Sequence, residues 1–375
     1  MMRKLEFFKK SVPSIGVLKA LSLALLLAFV SCESDDDTGV VEDKGDFVNG
    51  IFVLNQGAMN AANASVSFIA QDTVMGDLFA DRNNAVLGDV LQDMVSVDTL
   101  SFLVLNNSHS LVVVNNKNFS YVGQISEGIN NPRYAVVFNG LIYVSQWGNE
   151  GEVAVVDPEK MEVVNTIDVG FGPEGLEVVG DELWVANCGG YGTDNIISVI
   201  DPVNDEVIEE ITVNDNPQDL VVDANGDVWV LATGRSEYDA GSGTFVSVSP
   251  AAIHNVNASS YEVEQTFLPD ESVYGKATKI AISADGQSFY FGGGYGFSGI
   301  WEVEITVSEL PQETFADVTP SGLGVNPANG DLYVGVAPSF TSVGHVEVYS
   351  ANGTAVETYE DNIGIGPCNF VFVSE

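Results

Sequence analysis

From Gly50 to its last residue the chain repeats one unit, and its two ends hold the two parts of a single copy. Each unit opens on a turn, often with Pro, and continues with apolar alternation. A hairpin turn rich in Gly or Asp leads into a strand of the type Leu-Tyr-Val or Leu-Trp-Val. A polar loop, a Val-x-Val-Ile-Asp strand and a Val-x-x-Thr-Ile strand complete it. The clearest copies start at Pro132, Pro173 and Pro217, and weaker ones align on Gln92, Ala277 and Pro320. The intervals between these anchors are 40, 41, 44, 60 and 43 residues. Four strands in about 40–45 residues is the spacing of a propeller blade. The long interval holds an insertion, near Tyr238–Gly243 or His254–Tyr261.

The ends complete the count. GPCNFVFVSE at the C-terminus is an opening strand and nothing more, whereas GIFVLNQG at Gly50 is a second strand without its opening partner. Joined, they make a seventh unit. A solenoid would need capping repeats instead. A β-sandwich would not yield six aligned anchors. The expected fold is all-β: a seven-bladed β-propeller over 49–375, closed by the C-terminal strand completing the first blade, which leaves no long sheet edge to aggregate.

Ahead of the repeats, a basic segment (Met1–Lys10) precedes an apolar run from Ala20 to Val30. The run is too short for a membrane span, which takes about 20 residues, and reads as a signal peptide over 1–31. It ends in Phe29-Val30-Ser31-Cys32, which resembles a lipobox, with Cys32 as the lipid-attachment residue. The acidic run Glu33-Ser34-Asp35-Asp36-Asp37 resembles the surface-export signal of Bacteroidetes lipoproteins. Residues 32–48 are polar and aperiodic, the composition of a flexible tether. The expected location is the outer membrane, facing the cell exterior, with membrane contact only through the lipid.

Five of the 13 basic residues (Arg3, Lys4, Lys9, Lys10, Lys19) precede Cys32, where Glu6 is the only acid, so eight basic residues face 52 acidic ones in the remainder. Such a surface repels nucleic acid and anionic headgroups. Its simplest reading is a solubility device for salty surroundings.

The topology of a propeller places any site. Loops after the second strands and turns before the first strands open on one face, around the channel mouth. The candidates there are Asn55, Gln56, Arg133, Tyr134, Trp147, Asn187, Tyr191, Arg235, Tyr295 and Phe340. Aromatic rings supply stacking area and amides supply adaptable hydrogen bonds, the composition of a ligand surface. Asn and Gly after a strand are also ordinary turn formers. Cys188 and Cys368 fall on nearly opposite units, beyond the reach of about 7 Å that a disulfide needs, and are expected as free thiols.

The three histidines (His109, His254, His345) have no metal-ligand spacing. Neither a nucleophile elbow nor a phosphate-binding loop is present. Asp223–Asp227 is too short for a calcium loop and reads as a hairpin turn. Neither metal, cofactor nor catalytic residue is expected, although a general acid or base hidden among so many carboxylates stays open.

The strand motifs resemble the YncE-like propeller family. Phe52–Gly57 (FVLNQG), Asn131–Tyr134 (NPRY) and Val185–Tyr191 (VANCGGY) are similar to the BtuG-type surface lipoproteins of Bacteroidetes. That resemblance implies capture of cobalamin, or another corrinoid, and hand-over to a TonB-dependent outer-membrane transporter, in vitamin uptake. It also implies that Asn55, Gln56, Arg133, Tyr134, Asn187 and Tyr191 line the ligand mouth. The alternatives are an adhesion propeller binding protein or glycan, and a propeller enzyme of lactonase or quinoprotein type.

Overall fold

The computed structural model describes residues 47–71, 73–294 and 297–374. The signal peptide, Cys32 and nearly all of the tether lie outside the described residues.

Seven antiparallel sheets follow one another around a central channel. Their inner strands are Pro367–Val373, Leu91–Val97, Pro132–Phe138, Pro173–Val179, Pro217–Val222, Lys279–Ile282 and Gly322–Val325, in blades 1 to 7. Blade 1 is the split one: Gly50–Asn55 pairs with Pro367–Val373 on one side and with Ser65–Ala70 on the other. The closing strand thus spends its ladder hydrogen bonds on the other end of the chain.

Blades pack face to face, so a second strand has an apolar neighbour on both sides. This is why Leu100–Leu105 and Glu182–Asn187 read as near-continuous buried runs rather than alternating ones. Alternate residues then join different cores. Trp229 and Leu231 pack against Phe289 and Phe291 of the next blade, whereas Val228 and Val230 face Trp184 and Ile197 of the previous one. Outer strands meet water along most of their length, as in Glu162–Asp168 and Glu206–Thr212.

Three details depart from the repeat. Blade 6 has three strands, and where a fourth would run the chain makes a single bridge between Ile300 and Ala316; Pro311 removes a ladder donor in that stretch. The insertion in blade 5 is a separate hairpin, Arg235–Asp239 with Thr244–Ser249, whereas His254 sits inside the regular third strand. Phe47 belongs to the propeller, two residues ahead of the expected boundary. Its ring meets Phe52, Phe68 and Phe119 at centroid distances of 5.5, 4.9 and 5.9 Å.

Asp223–Asp227 is a hairpin turn as expected. Asp223 accepts from the Asn225 and Asp227 amides and from the Trp229 indole.

Candidate functional site

The residues entering the inner strands and the loops leaving the second strands share one face, here the upper face. Phe47 lies beside Gly50, at the opposite end of its strand from Asn55. The chain therefore joins the propeller at the lower face.

On the upper face, blades 3 and 4 bring three of the candidates together. Arg133 donates from Nε to Glu174 at 2.8 Å, and its guanidinium carbon lies 4.7 Å from the centroid of Trp147. Trp147 meets Tyr191 edge-on, with centroids 5.3 Å apart and planes at 83°. Tyr191 is 94% exposed and Phe171, beside it, is 53% exposed. An open cavity of about 400 Å³ lies over this shelf, lined by Trp147, Phe171, Tyr191, Glu150 and the glycine backbone of residues 189–192.

Two glycines shape the shelf. Gly172 (φ +59°) and Gly190 (φ +57°) occupy left-handed backbone, and a Cβ on Gly172 would stand 1.9 Å from the Gly190 nitrogen. Only glycine permits that approach, which seats the Tyr191 loop against Trp147.

Glu174 is buried, so the ion pair with Arg133 is held in low dielectric rather than on the surface. It fixes the guanidinium plane over the indole, and a cation on a ring face adds about 0.5–1 kcal/mol.

The remaining candidates separate. Asn55 and Asn187, expected at the mouth, are fully buried. Each donates to a serine of its own blade at 3.0 Å: Asn55 to Ser67 and Asn187 to Ser198. They hold second strand to third strand, which corrects their expected placement. The reason is steric: the glycine turns at Gly364 and Gly170 close over these side chains, with a Cβ there only 2.8 and 2.7 Å from the respective amide carbons. Gln56 is half-buried, its backbone bonded to Gly366. Phe340 is 85% exposed, on blade 7 rather than with the shelf. Arg235 opens the inserted hairpin and pairs with Asp215 and Glu237. Tyr295 lies outside the described residues.

Tyr134 points elsewhere, into the channel. The bulge at Pro132/Ala135 turns Arg133 and Tyr134 in different directions. Strand register aligns Tyr134 with Asp93, Gly175, Asp219, Lys279, Gly322 and Asn369 on the other six inner strands. These positions form one layer of the throat, and five of them carry polar side chains that line a cavity of about 330 Å³. Asn369 donates to Asp93 at 2.9 Å, and the Ala135 amide donates to its other oxygen. Burial pushes the Asp93 carboxyl up to about 6, against the pull of these donors and of Lys279. Burial, reinforced by Asp219, lifts Glu177, one step deeper, to about 7. Asp219 rises to about 7 through burial, with Lys279 opposing and Glu174 adding to the rise. The Lys279 charge draws the Tyr134 hydroxyl down, yet burial with Asp219 and Glu174 carries it up to about 12.

Cys188 and Cys368 are free thiols, as expected. Burial, with Glu174 adding, pushes Cys188 up to about 12. Among the described residues no group of three or more His, Cys, Asp or Glu is placed to hold a metal.

Geometry of this kind defines a class: closed seven-bladed propellers with an aromatic shelf on one face and a polar throat. Within it, the chain belongs to the family described as a domain of unknown function, DUF5074, whose model matches residues 49–373. No curated protein matches it by sequence. Its fold is similar to that of a Bacteroides uniformis protein provisionally named a 6-phosphogluconolactonase, at 13% identity and TM-score 0.64, covering 87% of this chain and 100% of that one. A Bacteroides thetaiotaomicron protein described as quinoprotein alcohol dehydrogenase-like follows at 15% identity and TM-score 0.61, covering 88% and 79%. Hydrazine synthase of Kuenenia stuttgartiensis aligns at 17% identity and TM-score 0.59, covering 80% and 92%. Such likenesses carry the fold alone.

Proposed function

We propose that this protein is a non-catalytic capture protein, anchored through Cys32 to the outer membrane and facing the cell exterior. Its ligand is a bulky small molecule, cobalamin or another corrinoid, which it hands to a TonB-dependent outer-membrane transporter. The observation that carries the reading is the shelf: Trp147 and Tyr191 edge to face, Arg133 stacked behind, and Tyr191 almost wholly in water. A large ring left exposed has a desolvation gain available on binding, about 25 cal/mol per Å² covered, and few rotamers to freeze.

Two further features fit. The first described residue, Phe47, lies at the lower face, opposite the shelf. The strong negative charge discourages attachment of the shelf to anionic lipid or nucleic acid.

Of the four tryptophans, Trp184, Trp229 and Trp301 are buried between blades, leaving Trp147 to report on the shelf. Titration with cyanocobalamin is expected to quench tryptophan emission saturably, and Trp147→Phe to remove most of the saturable change. Emission that follows only the absorbance of added cobalamin, with no saturation, contradicts the corrinoid assignment.

A further inference from the structure

The polar throat below the shelf is a second place where chemistry collects, and its charges are unlike. On the blade 6 wall stands Lys279. Its ammonium leans on the Tyr134 hydroxyl, with Cys368 and Asp219 nearby. No described carboxylate comes within the 4.0 Å of an ion pair with it. On the blade 5 wall, Asp219 accepts from the Leu220 amide with Oδ1 only, at 3.0 Å. Its side chain lines the channel cavity. Glu177 of blade 4 adds a second carboxyl one step deeper.

Gly175 makes this arrangement possible. A Cβ there would meet Asp219 Oδ1 at 2.5 Å, so a side chain on blade 4 would displace the carboxylate. The other carboxylate of the layer is already engaged: Asp93 is bound by Asn369 and by two backbone amides. What faces the empty volume is therefore one ammonium on one wall and carboxylates on the walls beside it.

We propose that this throat binds a small zwitterion of the free amino-acid class, its carboxylate on Lys279 and its ammonium on Asp219 and Glu177. A simple anion would meet the repulsion of three carboxyls, and a simple cation that of Lys279. A molecule carrying both charges sets each of its ends against the wall of opposite sign. Below the polar layer the inner strands offer Val136, Val221 and Ala281, an apolar collar for a short side chain. At about 30 Å³ per water-sized atom, the cavity of about 330 Å³ takes roughly ten non-hydrogen atoms. The proposal does not rest on the corrinoid reading, because the two sites share no side chain.

The test is calorimetry and thermal shift on the full chain with glycine, L-alanine, L-glutamine and 4-aminobutyrate, set against acetate and ethylammonium. At least one zwitterion is expected to bind tenfold or more tightly than either single-charge control. Lys279→Met and Asp219→Asn are each expected to cut that affinity tenfold or more, while Tyr191→Ala leaves it unchanged. Should a throat variant not fold, the ratio of zwitterion to control on the native chain decides alone. No binding by any zwitterion overturns the proposal, as does equal binding of acetate or ethylammonium, or affinity that survives both substitutions.

Discussion

Arg133 packs its guanidinium 4.7 Å from the centre of the Trp147 ring while its Nε stays bonded to buried Glu174. The shelf is thus built on an ion pair, and its geometry depends on a carboxylate that no ligand would touch.

Glu174→Gln should expose that dependence. It strands a mostly covered guanidinium without its counter-charge, and breaking a buried pair by removing one partner costs about 3–5 kcal/mol. Some solvent reaches Arg133, so a loss of about 2 kcal/mol is expected in urea unfolding. Arg133→Met with Glu174→Gln together should recover part of it.

Tyr191→Ala makes the complementary case. The ring is 94% exposed, so the melting temperature should stay within about a degree, since surface substitutions usually fall within about 0.5 kcal/mol. Ligand affinity should drop tenfold or more, which separates the shelf's binding role from any structural one.

The throat should make stability depend on pH. Asp219 is raised in the fold to about 7 from its ordinary 3.8, so between these values the folded state holds more protons than the unfolded one. Stability from this group falls as pH rises through that window. His254 acts the other way: burial lowers it from 6.5 to about 4, and stability is lost as pH falls between them. The clean readout is the difference between native chain and Asp219→Asn. The variant should gain relative stability from pH 5 to pH 8, on the order of 1–2 kcal/mol. A constant difference across that range would contradict the assignment.

Both thiols should react slowly in the fold. Cys188 and Cys368 are pushed up to about 12 and about 11, burial leading in each case, and the thiolate is the reactive form. Ellman's reagent is expected to find them only after unfolding, both free whether or not reductant was present. Removing residues 367–375 should abolish cooperative unfolding, because it strips the inner strand from blade 1 and opens the ring.

The blade count and the ring closure were legible because they rest on period and on complementary ends. Local chemistry was harder to read. Asn55 and Asn187 look like exposed loop residues by position, yet each ends a second strand beneath a glycine turn, and nothing in the repeat signals that cover. Trp147 and Tyr191 stand out in the sequence as large rings in loops, and the fold brings them edge to face. Phe171 was missed, since its turn precedes the anchor by two residues. The throat was hidden by the abundance of acids. Its signal was available in the alignment: the residue two after Pro132 and Pro217 is Tyr134 and Asp219, and the bulge that sends it into the channel is a backbone feature without a sequence mark of its own. Of the two places the sequence leaves for the insertion, Tyr238–Gly243 and His254–Tyr261, the hairpin takes the first, and the missing strand of blade 6 is not legible, because Pro311 falls where the repeat is weakest.

Calorimetric titration of the native chain and Tyr191→Ala with cyanocobalamin and cobinamide decides whether the shelf captures a corrinoid. Saturable heat at one site per chain is expected for the native protein and at least tenfold weaker binding for the variant, at unchanged melting temperature. Absence of heat with both corrinoids, or equal affinity of the two proteins, would contradict corrinoid capture at the shelf.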